Sequence, residues 1–153
     1  MTVGGIAPTV DGNAVVLTDD GARRGLLLSV GSAEALSISL RLEQRKLSGP
    51  MVHDLLDAIV KKLGGDVVGV RVDRIEDNVF YGTVLLNKGG EVVEVDARPS
   101  DAVTIALADS VPVYVAEGVL AQAGIEVDKF DFRKLRAKPE AERPGTRPGE
   151  LEL

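Results

Sequence analysis

"RVDRIEDNVFYGTVLLNKGGEVVEVDARPSDAVTIAL", residues 71–107, switches its apolar period from two to about four, and that switch decides the fold. Alternating Val, Leu and Ile positions predict strands over roughly 67–75, 79–87 and 91–97. "EDN" and "NKGGE" supply turn residues between them. The strands are therefore expected to form an antiparallel meander. After Pro99, Ala102, Val103, Ala106 and Leu107 return at helical spacing, and proline suits the first position of a helix. A meander followed directly by a helix predicts an α+β domain.

The flanks extend this reading. Upstream, "PMVHDLLDAIVKKLGG" (50–65) places Leu55, Leu56, Ile59, Val60 and Leu63 on one helical stripe. Asp54 and Asp57 come early, Lys61 and Lys62 late, and Gly64-Gly65 closes the helix. Downstream, "PVYVA" (112–116) reads as a short strand and "GVLAQAG" (118–124) as a short helix. "AVVLT" (14–18) and "LLLSV" (26–30) read as strands around a hairpin-like turn, and residues 1–13 hold a short strand at best. "GSAEAL" carries a helix-start signal, with Ser32 as cap and Glu34 in the first turn. In "LSISLRLE" (36–43), apolar and polar residues alternate as in a strand. A helix there would have to be sandwiched between two layers.

The expectation is one domain over residues 1–132, with about five to six strands in a mostly antiparallel mixed sheet and three to four helices. Residues 133–153 hold three of the seven prolines and six Lys/Arg against four Asp/Glu, and read as a flexible tail. Residues 1–132 then carry twelve basic against twenty acidic residues within a chain of net charge −6. Such a balance disfavours a passive nucleic-acid coat, which works by neutralising phosphates. With 3% aromatic residues and no tryptophan, a base-stacking platform is also disfavoured. The absence of cysteine excludes thiolate zinc sites and a cysteine nucleophile. No basic-then-apolar leader and no apolar run of membrane-spanning length is visible, so no membrane role is expected and the cytoplasm is the default compartment.

Two segments carry candidate chemistry. His53, the sole histidine, falls in the first turn of its helix, where it could act as a general base or a metal ligand, or be an ordinary surface residue. One histidine excludes a two-histidine mechanism within a subunit. In "DARPSDA" (96–102), Ser100 or Asp101 can cap free amides, which leaves Arg98 and Asp96 without a role. Arg98 could fork onto a phosphate beside the helix start, or pair internally with an aspartate to fix the corner. Glu94 and Asp96 share a strand face and, with Asp77, have the spacing of magnesium-binding carboxylates, although solvated acidic residues on an open face look the same.

Together, "VGSAEAL", "HDLL…LGG", "DNVFYGTV", "VDARPSDAVTIAL" and "PVYVAE", in this order and spacing over residues 26–117, resemble the bifunctional nuclease domain family. Both DNase and RNase activity are ascribed to its members. The resemblance implies an α+β domain that hydrolyses phosphodiester bonds, with nucleic acid as substrate. It also implies a helix over residues 32 to about 46, against the local alternation. Its marked polar positions fall on Glu34, His53, Asp54, Asp77, Asn78, Asp96, Arg98, Ser100, Asp101 and Glu117. The expected site gathers His53, Asp54, Arg98, Ser100, Asp101 and Glu34 in one cleft. His53 is there the general base or a ligand of Mg or Mn beside Asp54 or Asp101, and Arg98 steadies charge building on phosphorus. The family's Arg-Pro-x-Thr is here Gly49-Pro50-Met51-Val52, which removes a positive charge and a hydroxyl. The alternative is a non-catalytic binding or regulatory module with a structural polar corner. A homo-oligomer, first of all a dimer, is expected because a small Val-rich sheet often completes its burial against a copy of itself.

Overall fold

The computed structural model describes residues 1–45 and 48–136. Its first sheet contains β1 (Thr2–Thr9), β2 (Gly12–Thr18) and β3 (Arg24–Val30), paired antiparallel in chain order. The second contains the meander β4 (Gly65–Glu76), β5 (Val79–Lys88) and β6 (Glu91–Ala97). Helices α1 (Ser32–Leu42) and α2 (Val52–Lys62) link the two sheets, and α3 (Pro99–Asp109) follows the meander. The chain then adds β7 (Val113–Val115), which pairs parallel with β4, α4 (Glu117–Ala123), and β8 (Ile125–Glu126), which pairs antiparallel with β3. Among the described residues, the result is an α+β architecture of two four-stranded sheets, ordered β1-β2-β3-β8 and β6-β5-β4-β7, with four α-helices.

Both meander turns are two residues long and use the backbone the hairpin twist demands. Asp77 and Asn78 sit at φ 48° and 62° between Glu76 and Val79, and Gly89 and Gly90 at φ 61° and 89° between Lys88 and Glu91. These left-handed pairs match the right-handed twist of the strands.

The core is aliphatic, as the scarcity of aromatics requires. Leu17, Leu26 and Leu28 from the first sheet meet Val70 and Val72 from the second, with Ile38 of α1, Val103 of α3 and Val119 of α4 between them. Helix α3 is apolar around most of its circumference and is buried from Pro99 through Ala106 with the exception of Asp101. A helix of that pattern belongs in the middle of a fold.

Three expectations are corrected. Residues 32–42 form the helix that the family resemblance implies, but not the sandwiched one that their alternation calls for. Ile38 is fully buried, but Leu36 on another face is half exposed, so α1 is covered on one side and not sandwiched. Residue Gly31, not Ser32, is the N-cap of α1, with no side-chain cap. The first thirteen residues supply a full eight-residue strand, irregular between Val3 and Gly5, where Gly5 takes φ 155°. At the other end, Phe132–Arg136 form a 3₁₀ turn, and Val10 N donates to Leu135 O across 2.8 Å. The remainder of the expected tail lies outside the described residues. Among the described residues, no helix is long and apolar enough to cross a membrane.

Candidate active site

The N-termini of α1, α2 and α3 converge on one end of an open hollow of about 660 Å³. Its walls and floor are apolar: Leu56 and Val60 of α2, Val67, Val84, Leu86 and Val95 of the second sheet, and Ile105 of α3. Its polar end is lined by Glu34, His53, Asp96, Arg98 and Asp101, with Asp57 farther along α2. Strand pairing explains the shared wall, because Val84 stands opposite Val95 and Leu86 opposite Val93.

Residue Arg98 is extended at φ −65°, ψ 139°, as a residue before proline must be, and serves as N-cap of α3. The strand beside it makes room. A Cβ on Gly82 of β5 would come within 3.2 Å of the Pro99 Cα and of the carbonyl oxygens of Ala97 and Arg71. Glycine there lets the start of α3 press onto the sheet and fixes where Arg98 leaves it.

One carboxylate organises the polar end. Asp101 Oδ2 accepts from Arg98 Nε at 2.7 Å, and Oδ1 accepts from Arg98 Nη2 at 3.1 Å. The same Oδ1 lies 3.2 Å from His53 Nε2. Arg98 Nη2 also donates to Glu34 Oε1 at 3.0 Å, tying α3 to α1. Burial alone would raise the Asp101 carboxyl, but bonds from Arg98 and His53 outweigh it and hold the group below the usual carboxylate range. Ionised Asp101 favours the tautomer with the proton on Nε2, which leaves Nδ1 as the acceptor. His53 is buried while the Arg98 side chain remains 71% exposed, so the imidazole is held and the guanidinium reaches solvent.

The other candidates lie elsewhere. Asp54 turns away from this cluster. Its Oδ1 accepts from Arg41 of α1, and its Oδ2 accepts from Met51 N at 2.8 Å, the reach-back half of a capping box. The hydrogen bond from Arg41, against the cost of burial, holds its carboxyl below the usual range. Ser100 is buried behind the hollow, where its carbonyl accepts from Thr104 Oγ1 at 2.7 Å. No side chain caps α3, so neither Ser100 nor Asp101 does the capping expected of it. Glu117 accepts from Arg24 Nη1 at 3.0 Å, and Asp77 and Asn78 occupy a hairpin turn.

These placements test a divalent-ion site. Both oxygens of Asp101 are engaged by Arg98 and His53, and both oxygens of Asp54 by Arg41 and Met51 N. Glu94 is likewise engaged, accepting from Arg71 Nη1 and Nη2 at 3.3 and 3.2 Å. Among the described residues, no group of three or more potential acidic or histidine ligands converges as an ion requires. The donor set does not fit a magnesium or manganese site built on Asp54 and Asp101.

Sequence reasoning missed the apolar bulk of the hollow and the contact of Asp54 with Arg41. The signal for the first was present: Val84 and Leu86 alternate in step with Val93 and Val95, marking a common sheet face.

Residues 15–128 match the bifunctional nuclease domain. The chain belongs to that family. An uncharacterised protein of Mycobacterium tuberculosis is 34% identical over 129 residues, which span 84% of this chain and 77% of that protein. Bifunctional nuclease 1 of Arabidopsis thaliana is 31% identical over 120 residues, 74% of this chain but 36% of the plant protein. Bifunctional nuclease 2 of the same plant is 31% identical over 129 residues, covering 80% and 38% respectively. The match with this chain thus spans little more than a third of the plant relatives' length.

Proposed function

We propose that this domain hydrolyses phosphodiester bonds of RNA or DNA at the polar end of the hollow. The observation that carries the reading is the chain Glu34–Arg98–Asp101–His53, hydrogen-bonded throughout and facing one concavity, in a member of the bifunctional nuclease domain family. In this mechanism Asp101 orients His53 through Nε2, and Nδ1 takes the proton from the attacking water. The exposed guanidinium of Arg98 meets the charge that builds on the phosphoryl oxygens. Three helix N-termini add partial positive charge around the same place. Asp54 acts from behind, by fixing the first turn of α2 and with it the backbone of His53.

A cleavage assay on single-stranded RNA and DNA tests this, run in Mg²⁺, Mn²⁺ and EDTA. His53→Ala is expected to lower turnover by roughly 10²–10⁴-fold, the usual worth of a positioned proton acceptor. Cleavage by His53→Ala and Arg98→Ala at the parent rate would sink the site assignment.

A specific observation favours a second reading, a non-catalytic binding module. Arg98 is already neutralised by Asp101 and Glu34, and Asp57 and Asp96 add further acidity to the hollow. Under that reading the corner is a buttress joining α1, α2 and α3. A folded protein that binds but does not turn over either nucleic acid would establish it.

A further inference from the structure

The apolar face of α2 points the wrong way for a core helix. His53, Asp57 and Lys61 lie on the side turned to α3: His53 meets Asp101, and Lys61 Nζ donates to Asp57 at 2.7 Å and to Asp109 at 3.0 Å. The opposite arc carries Val52, Leu55, Leu56, Ile59 and Leu63, which are 70%, 54%, 45%, 47% and 71% exposed. Across the hollow, edge strand β6 leaves Val93 and Val95 exposed on the same sheet face as Val84 and Leu86. These seven side chains leave on the order of 650 Å² uncovered, within the range that one partner contributes to a stable interface. Monomeric proteins rarely leave a connected patch of that size in water.

We propose that α2 and β6 form the interface of a two-fold symmetric dimer, with α2 of each chain lying antiparallel on α2 of the other and covering the apolar half of the other's hollow. Shape supports a second copy as the occupant. The ridge of Leu55, Ile59 and Leu63 is complementary to a groove walled by α2 and β6, and both surfaces are present on every chain, as a closed two-fold interface requires. Charge supports it too. Helix α2 is acidic in its first turn and basic in its last, so antiparallel copies bring the negative end of each beside the positive end of the other and oppose their dipoles favourably. Covering the apolar half leaves the His53–Asp101–Arg98 end open. The dimer therefore stands or falls independently of the nuclease reading.

Sedimentation equilibrium of the full chain is expected to give twice the chain mass at about 10 μM, a usual range for an interface of this area. Ile59→Lys should weaken association by roughly a hundredfold, since it places a charge at the centre of the patch. Its far-UV circular dichroism should be unchanged, because Ile59 is not part of the monomer core. The chain has no cysteine, so Ile59→Cys should oxidise to a covalent dimer through residues that meet near the two-fold axis, whereas Asp11→Cys on the exposed β1–β2 turn should not. A parent chain that stays monomeric at about 100 μM, an assembly of three or more chains, or a dimer indifferent to Ile59→Lys would each overturn the proposal. So would equal crosslinking of the two cysteine variants.

Discussion

Helices α2 and α3 are each eleven residues long and each supplies part of the polar cluster, yet they are held in opposite ways. Seven residues of α3 are buried, and its apolar side chains reach both sheets. Only His53 of α2 is buried, and the helix is fastened to α3 largely by charged contacts, His53 to Asp101 at one end and Lys61 to Asp109 at the other. The lesson is that α3 belongs to the frame, whereas α2 is clipped onto it. A site shared by two such helices has one rigid half and one half whose position depends on a few polar contacts.

Substitutions can break or sharpen that contrast. The largest effect belongs to the frame. Val103→Asp buries an unpaired carboxylate in the centre of the core and should cost at least about 3 kcal/mol, enough to abolish a cooperative urea transition in a domain of marginal stability. Next comes the clip. Asp101→Ala removes charge-assisted bonds to both His53 and Arg98 and should cost about 2 kcal/mol. Hydrogen exchange should then accelerate in the amides of α2 and remain slow in the central turns of α3, and equal acceleration would contradict the division drawn here.

A smaller effect is expected from Asp54→Asn, about 1 kcal/mol, because it weakens the contact with Arg41 and the bond to Met51 N that closes the first turn. Its pH dependence follows from the direction of the Asp54 shift. A carboxyl held below its unfolded value stabilises the fold above that value, about 3.9, and loses this contribution as pH falls through the folded value. The difference in urea midpoint between parent and variant should therefore be full at neutral pH and shrink at pH below about 4. The smallest effect is on the exposed arc of α2. At concentrations low enough to keep the chain monomeric, Ile59→Lys should change stability by less than about 0.5 kcal/mol, as judged by its urea midpoint.

Much of this contrast was legible in the sequence, but its orientation was not. The meander, its two tight turns and the start of α3 at Pro99 follow from strand alternation, Asp77-Asn78, Gly89-Gly90 and a proline at the first helical position. The stripe Leu55–Ile59–Leu63 correctly marks α2 as a helix, but the usual inference that such a stripe faces the core fails. Polar contacts at His53 and Lys61, made with residues 48 positions away, turn the other side inward, and no local pattern reports them. The alternation in residues 36–43 misleads for a related reason. Leu36 is half exposed, so apolar type does not track burial along α1. Strand β1 escapes notice because Gly4, Gly5 and Pro8 are poor strand formers that pairing with β2 overrides. At the site, the neighbourhood of Arg98 and Asp101 could be read from their spacing, whereas the contacts of Arg98 with Glu34 and of Asp54 with Arg41 depend on how α1 docks.

The parallel pairing of β7 with β4 also dictates an order of assembly. Both hairpins of the meander join neighbours in the chain and can close within microseconds of being available. Val70 and Val72, by contrast, must wait for Val113 and Val115, which lie beyond two strands and a helix. A nascent chain emerging from a ribosome therefore exposes a three-stranded sheet whose β4 edge is unpaired, besides the permanent β6 edge, until residue 115 is outside the exit tunnel, and that interval is when it is most open to capture by chaperones or by other nascent chains.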